Sequence, residues 1–150
     1  MYFTAATAPP APALHAAKES DGASPAPCVL VFGCRNEAGD FYYRREWEAM
    51  QQAGVLAEPP LGLITAFSRD QGSKVYVQHR ITEYGAALWR LLLEGTAAVY
   101  VAGSADKMPA QVAAAFEEVA VRHGGLSRDA AARWLRGLEL SGRYQVEAWS

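Results

Sequence analysis

Cys28-Val29-Leu30-Val31-Phe32-Gly33-Cys34-Arg35 is a short apolar run closed by a glycine. Val29 to Phe32 leave no polar face, which predicts a strand buried on both sides. A helix is expected from about Asp40, with Trp47, Met50 and Ala53 at helical spacing before Gly54. Leu61, Leu63, Ile64, Ala66 and Phe67 then predict a second buried strand. Strand, helix, strand implies a parallel pair.

The same alternation continues to the end of the chain. Lys74, Tyr76 and Gln78 alternate with Val75 and Val77, which predicts a short extended segment with three polar or aromatic tips on one face. Leu88, Trp89 and Leu92 mark the next helix, and Ala97 to Ala102 a third buried strand. Gly103 turns the chain, and Pro109 suits the first turn of a helix carrying Val112, Phe116 and Val119. Gly124 and Gly125 end that helix. Ser127 is placed to cap the next, through Ala131, Trp134, Leu135 and Leu138, and Arg143 to Ser150 reads as a last strand. The expected architecture is α/β, a doubly wound parallel sheet with helices on both faces and ligands over the carboxyl ends of its strands. No internal repeat is visible.

The bulk numbers suit one soluble globular domain: 150 residues, 51% hydrophobic and 20% charged. Fourteen Lys and Arg against sixteen Asp and Glu leave a formal charge of −2, which argues against a broad surface for nucleic acid or an anionic membrane. Any bound anion must be met locally. Cys28 and Cys34, with His15, His79 and His123 far off, match no metal-ligand spacing, so no metal site is expected. Without a secretory leader, both cysteines read as reduced thiols of a cytoplasmic protein. No apolar run approaches membrane-spanning length.

Residues 1–27 have a different texture. Pro9, Pro10, Pro12, Pro25 and Pro27 break any helix, and large apolar side chains are scarce, so this stretch is expected to be a disordered Ala/Pro-rich tail or linker. A transit peptide is the competing assignment, but Lys18 is its only base besides His15, and Glu19 and Asp21 oppose it. The folded domain is expected over 28–150.

One stretch has the makings of an anion site. Ser68 and Arg69 follow the second strand directly, and Lys74, Tyr76 and Gln78 lie just beyond. Two cations and two hydroxyls at a strand's carboxyl end suit a phosphate monoester, with a planar side chain left to cover an adenine face. The plainer alternative is a solvated loop and an edge strand.

Phe67-Ser68-Arg69 followed by Lys74-Val75-Tyr76-Val77-Gln78-His79 resembles the 2′-phosphate and adenine site of the NADPH-dependent diflavin reductases. Phe32-Gly33-Cys34-Arg35, Asp40-Phe41-Tyr42, Tyr100-Val101-Ala102-Gly103, Lys107-Met108, Arg143-Tyr144-Gln145 and the terminal Trp149-Ser150 fall in that family's order. The resemblance covers about residues 28–150 and implies a Rossmann-like domain of the ferredoxin-NADP reductase type. It implies that Ser68, Arg69, Lys74, Tyr76 and Gln78 select NADPH over NADH, and that Arg35 serves the diphosphate or ribose. Cys34 lies beside Arg35, and Met108 belongs to the same nucleotide-binding set. Trp149 resembles the residue that stacks on the FAD isoalloxazine and must move for nicotinamide to enter. Glu147, two positions earlier, corresponds to an acidic position that polarises the nicotinamide and flavin surroundings.

The chain also departs from the commoner pattern. Ala102, Gly103 and Ser104 stand where many relatives carry Cys-Gly-Asp, so Ala102 supplies no thiol. With Lys107-Met108-Pro109 and Glu147, this resembles the cytosolic NADPH-dependent diflavin oxidoreductase branch, whose acceptor is an anamorsin-type iron–sulfur protein. The family's Gly-rich strand-turn-helix unit, its FAD barrel and its FMN domain have no counterpart here. The expectation is therefore a truncated piece of a larger reductase, in which the strands ending at Phe32 and Ala102 lack their shared neighbour. A non-enzymatic nucleotide-binding or interaction module is the alternative.

Overall fold

Val29–Cys34 forms a strand, β2, whose successive side chains point to opposite faces of one sheet. Val29 and Val31 join the main core, while Leu30 and Phe32, equally buried, lie on the other face. The structure is a computed structural model that describes residues 27–150 and the backbone of 2–7. The remaining strands are β1 (Tyr2–Thr7), β3 (Leu63–Phe67), β4 (Ala97–Ser104) and β5 (Tyr144–Trp149), in the spatial order β3-β2-β1-β4-β5. β2 pairs parallel with β3, from Leu30 opposite Leu63 to Cys34 opposite Phe67, and β4 pairs parallel with β5.

The helices are α1 (Glu37–Asp40), α2 (Arg44–Gln52), α3 (Val77–Glu83), α4 (Gly85–Leu93), α5 (Met108–Gly124) and α6 (Arg128–Leu140). From β2 the chain moves outward to β3, then back across the sheet to β4 and on to β5; with crossovers of the usual right-handed kind, that reversal of direction would put helices on both faces. Ile81, Leu88, Val112, Phe116, Val119 and Leu135 pack from α3 to α6 onto Val31, Ala66, Val99 and Val101. On the opposite face Phe41 sits 4.9 Å from the Phe32 ring and 5.5 Å from that of Phe67. The expected α/β class and Rossmann-like layering are therefore present. Gly125, at φ 65°, ends α5, and the Ser127 hydroxyl accepts from the Ala130 N–H at 3.2 Å to cap α6, both as expected.

Three expectations need correction. Tyr2–Thr7 is not part of a disordered tail: it is the central strand, antiparallel to both neighbours, with Tyr2 opposite Phe32 and Ala102 and Ala5 opposite Val29 and Val99. Composition averaged over 1–27 hid this, because the first proline is Pro9 and Tyr2-Phe3-Thr4 suits an extended strand. The rest of that tail, residues 8–26, lies outside the described residues. The strands ending at Phe32 and Ala102 consequently do have a shared neighbour, since open backbone groups in mid-sheet are satisfied by whatever extended segment reaches them.

The third correction concerns Lys74 to Gln78. Lys74 to Tyr76 is a loop, and α3 begins at Val77. Tyr76 remains extended, and its N–H is taken by the His79 ring at 3.1 Å, which starts the helix where alternation alone suggested a strand. Smaller differences are the split of the expected first helix into α1 and α2, and the start of β3 at Leu63 rather than Leu61. Among the described residues no helix is long and apolar enough to cross a membrane.

Candidate functional site

The carboxyl ends of β2 and β3 are locked together beyond their last paired residues. The Ser68 N–H donates to the Cys34 carbonyl at 2.9 Å and the Arg69 N–H to the Arg35 carbonyl at 2.8 Å, so the ladder runs on into both loops. α3 closes in on the same end, because Gly33 has no Cβ: one placed there would lie 2.6 Å from Val77 Cγ1. Arg80 holds α3 in place, its Nε donating to the Thr65 carbonyl at 2.9 Å while its guanidinium pairs with Glu83 at 2.6 Å.

These elements enclose a cleft of about 480 Å³, within the usual range for a small-molecule site. Cys34 enters from the end of β2 and Arg35 from the loop after it, Ser68 and Arg69 from the loop after β3, Lys74 and Tyr76 from further along that loop, and Gln78 from α3. Met108 arrives from the start of α5. All eight of the residues expected on the phosphate, adenine, ribose and diphosphate side therefore border one cleft. A second depression, about 340 Å³ along α2 between Tyr43, Glu46, Trp47 and Met50, holds no cation.

The electrostatics of the larger cleft are unusual for this molecule. Arg44, Arg80, Arg122 and Arg136 each pair with a carboxylate, and Arg143 donates to the Ala97 and Leu92 carbonyls. The side chains of Arg35, Arg69, Lys74 and Lys107, all lining the cleft, make no hydrogen bond or ion pair among the described residues. Only one carboxylate, that of Asp106, shares the lining. Such a set is built to receive an anion with several oxygens, Arg as a fork and Lys as a point charge. The Cys34 thiol, 3.4 Å from the Asn36 carbonyl, is pushed up from its ordinary pKa by burial above all and then by Asp40, so it is a protonated thiol at neutral pH. Burial raises Cys28 as well, and both cysteines are free.

Trp149 and Glu147 are not in this cleft. They lie on β5, Trp149 opposite Ser104 and Glu147 opposite Ala102, and Trp149 is 55% exposed. Three strand spacings, about 14 Å, separate β5 from β2. Conversely, the cleft contains Lys107, which falls within a motif of the family resemblance but was given no binding role, and Gln111, which the sequence did not single out. Gln111 lies one helical turn after Met108, and its side-chain oxygen accepts from the Gln78 amide at 3.1 Å, tying α5 to α3. The spacing from Met108 was the available signal. Among the described residues no three His, Cys, Asp or Glu side chains form a set that could hold a metal ion.

Comparison with known proteins supplies the family. Residues 6–114 match the model described as the oxidoreductase NAD-binding domain. The chain belongs to that family. It is 53% identical over 128 residues to NADPH-dependent diflavin oxidoreductase 1 of Arabidopsis thaliana, covering 83% of this chain and 20% of the relative. The Danio rerio protein of the same name is 48% identical, over 81% of this chain and 20% of the relative. NADPH–cytochrome P450 reductase of Salmo trutta is 38% identical over the same shares. The chain thus spans about a fifth of the length of these relatives. The resemblance read from the cation-bearing motifs is borne out at the level of the family.

Proposed function

We propose that this chain is the NADPH-binding portion of a cytoplasmic flavoprotein reductase that passes hydride from NADPH to FAD, and onward through FMN to an acceptor such as an anamorsin-type iron–sulfur protein. The observation that carries the reading is the unpaired Arg35, Arg69, Lys74 and Lys107 around one cleft that also holds the Ser68 and Tyr76 hydroxyls. A 2′-phosphate fits that donor set, since it offers several acceptor oxygens to groups that have no partner of their own. The relatives are named as NADPH-dependent reductases, which supports the same choice of nucleotide.

When bound, NADPH supplies the hydride. Ser68, Arg69, Lys74, Tyr76 and Gln78 hold the 2′-phosphate and adenine, Arg35 the diphosphate or ribose, and Cys34 and Met108 the walls beside them. On β5, Trp149 would cover the flavin face and Glu147 would polarise the nicotinamide surroundings. The FAD and FMN are carried by other domains, and Trp149 is this chain's contact with the first of them.

A second reading, a nucleotide-binding module without turnover, is favoured by one observation. β1 runs antiparallel, so its carboxyl end at Thr7 lies opposite Ala97, at the far end of the sheet from the cleft. β1 therefore brings no strand-to-helix turn to the place where a pyrophosphate would be received. Titration of the purified chain with 2′-phospho-AMP and AMP tests what both readings share. The phosphorylated nucleotide should bind tenfold to a hundredfold more tightly, by rough analogy with other sites that strand donors when a partner is missing. Equal affinities would sink the assignment.

A further inference from the structure

Asp70 lies outside the cleft, immediately after Arg69, and is exposed. Both of its carboxylate oxygens are nonetheless committed. Oδ1 accepts from Asn36 Nδ2 at 2.8 Å and Oδ2 from the Glu37 N–H at 2.7 Å. Asn36 is the N-cap residue of α1, yet its side chain caps nothing in its own helix. The cap on Glu37 comes instead from Asp70, on the neighbouring loop, and Asn36 turns its amide to the same carboxylate.

These two bonds continue a seam. Ser68 is tied to Cys34 and Arg69 to Arg35 through backbone bonds of 2.9 and 2.8 Å, and the Asp70 carboxylate fastens the next pair of positions. Arg35 supplies the acceptor of the last rung of that ladder, one residue before the Asn36 end of the Asp70 clasp. The two guanidinium-bearing loops are thus held at one spacing by a side chain that contributes no positive charge to the cleft.

We propose that Asp70 is a positioning residue that sets Arg35 and Arg69 at the separation a phosphorylated nucleotide requires. The inference rests on the nucleotide reading above and assigns the loops' geometry to a specific clasp. Electrostatics and positioning make opposite forecasts here. A carboxylate next to Arg69 repels a phosphate dianion, so removing its charge should tighten binding if charge were all that mattered. If Asp70 positions the loops, removal weakens binding.

The experiment compares the wild-type chain with Asp70→Asn and Asp70→Ala by titration with 2′-phospho-AMP and AMP, alongside amide hydrogen exchange. Asp70→Asn replaces one of the two accepting oxygens with an amide donor, so one of the two clasp positions loses its acceptor. Both variants should bind 2′-phospho-AMP roughly threefold to tenfold more weakly, the scale of one hydrogen bond, with AMP little changed. The Ser68 and Arg69 amides should exchange faster. Unchanged or tighter binding of 2′-phospho-AMP by a folded variant would overturn the proposal. If the wild-type chain itself fails to prefer 2′-phospho-AMP, the nucleotide reading falls, and the exchange rates at Ser68 and Arg69 then decide the clasp alone: faster supports it, unchanged refutes it. Should Asp70→Ala not fold, Asn36→Ala removes one bond of the clasp from the other side and carries the same comparison.

Discussion

Tyr144 carries the only side-chain polar atom among the described residues that is buried without a hydrogen-bond partner. Its ring packs at 6.1 Å against Phe116, and burial, then the charges of Glu139 and Glu117, push the phenol well above its ordinary pKa. In the unfolded chain the phenol ionises near pH 10, while in the folded chain it keeps its proton. Its contribution is therefore complete below about pH 10 and is lost as pH rises beyond it. Tyr144→Phe should raise thermal stability by up to about 1 kcal/mol at neutral pH and flatten the alkaline loss, read by melting curves from neutral to alkaline pH. At the cleft, Lys74→Ala and Arg69→Ala should each weaken 2′-phospho-AMP by about tenfold and leave AMP nearly unchanged. Binding to the wild-type chain should also fall as pH drops through about 6, where the phosphate takes up its second proton. Gly33→Ala forces a methyl against Val77 Cγ1, 2.6 Å away, and should cost about 1–3 kcal/mol and displace the start of α3.

At the scale of elements, the sheet depends on β1. It is bonded on both sides, to Val29–Phe32 and to Ala97–Ala102, and without it two strand edges open in the middle of the sheet. Deleting residues 1–7 should abolish cooperative thermal unfolding and drive self-association, seen by circular dichroism and size-exclusion chromatography. A deletion variant that melts as the full chain does would show that β2 and β4 find another partner. The start of α3 matters for a different reason. Val77 seats on Gly33 and the His79 ring holds the Tyr76 N–H, so the helix brings Gln78 to the cleft and leaves Tyr76 in an extended approach to it. Val77 and Ile81 bury on the sheet side of α3, which a five-residue alternation does not reveal because helix and strand share so short a pattern.

For the whole molecule, the cleft and Trp149 stand at separate places along the strand ends, about 14 Å apart by strand spacing. The proposed nucleotide-binding groups line this cleft, and the proposed reaction assigns its flavins to other domains. The purified chain should therefore be colourless and reduce no ferricyanide with NADPH, and sustained turnover would overturn that division. The sequence by itself determined the α/β class, the strands at Val29–Phe32 and Leu63–Phe67, the Ser127 cap and the Gly125 stop, and eight of the residues that border the cleft. Each of these rests on interactions within a turn or a strand, or on motifs whose order along the chain survives folding. Only the tertiary structure decided that Tyr2–Thr7 is the central strand and antiparallel, that Lys107 and Gln111 join the cleft, and that Asp70 clasps Asn36 and Glu37. Those facts join residues from 24 to 100 positions apart. Their physical basis is the pairing of backbone and side-chain donors across the fold, and no local pattern of apolar and polar residues records which distant acceptor a donor will meet.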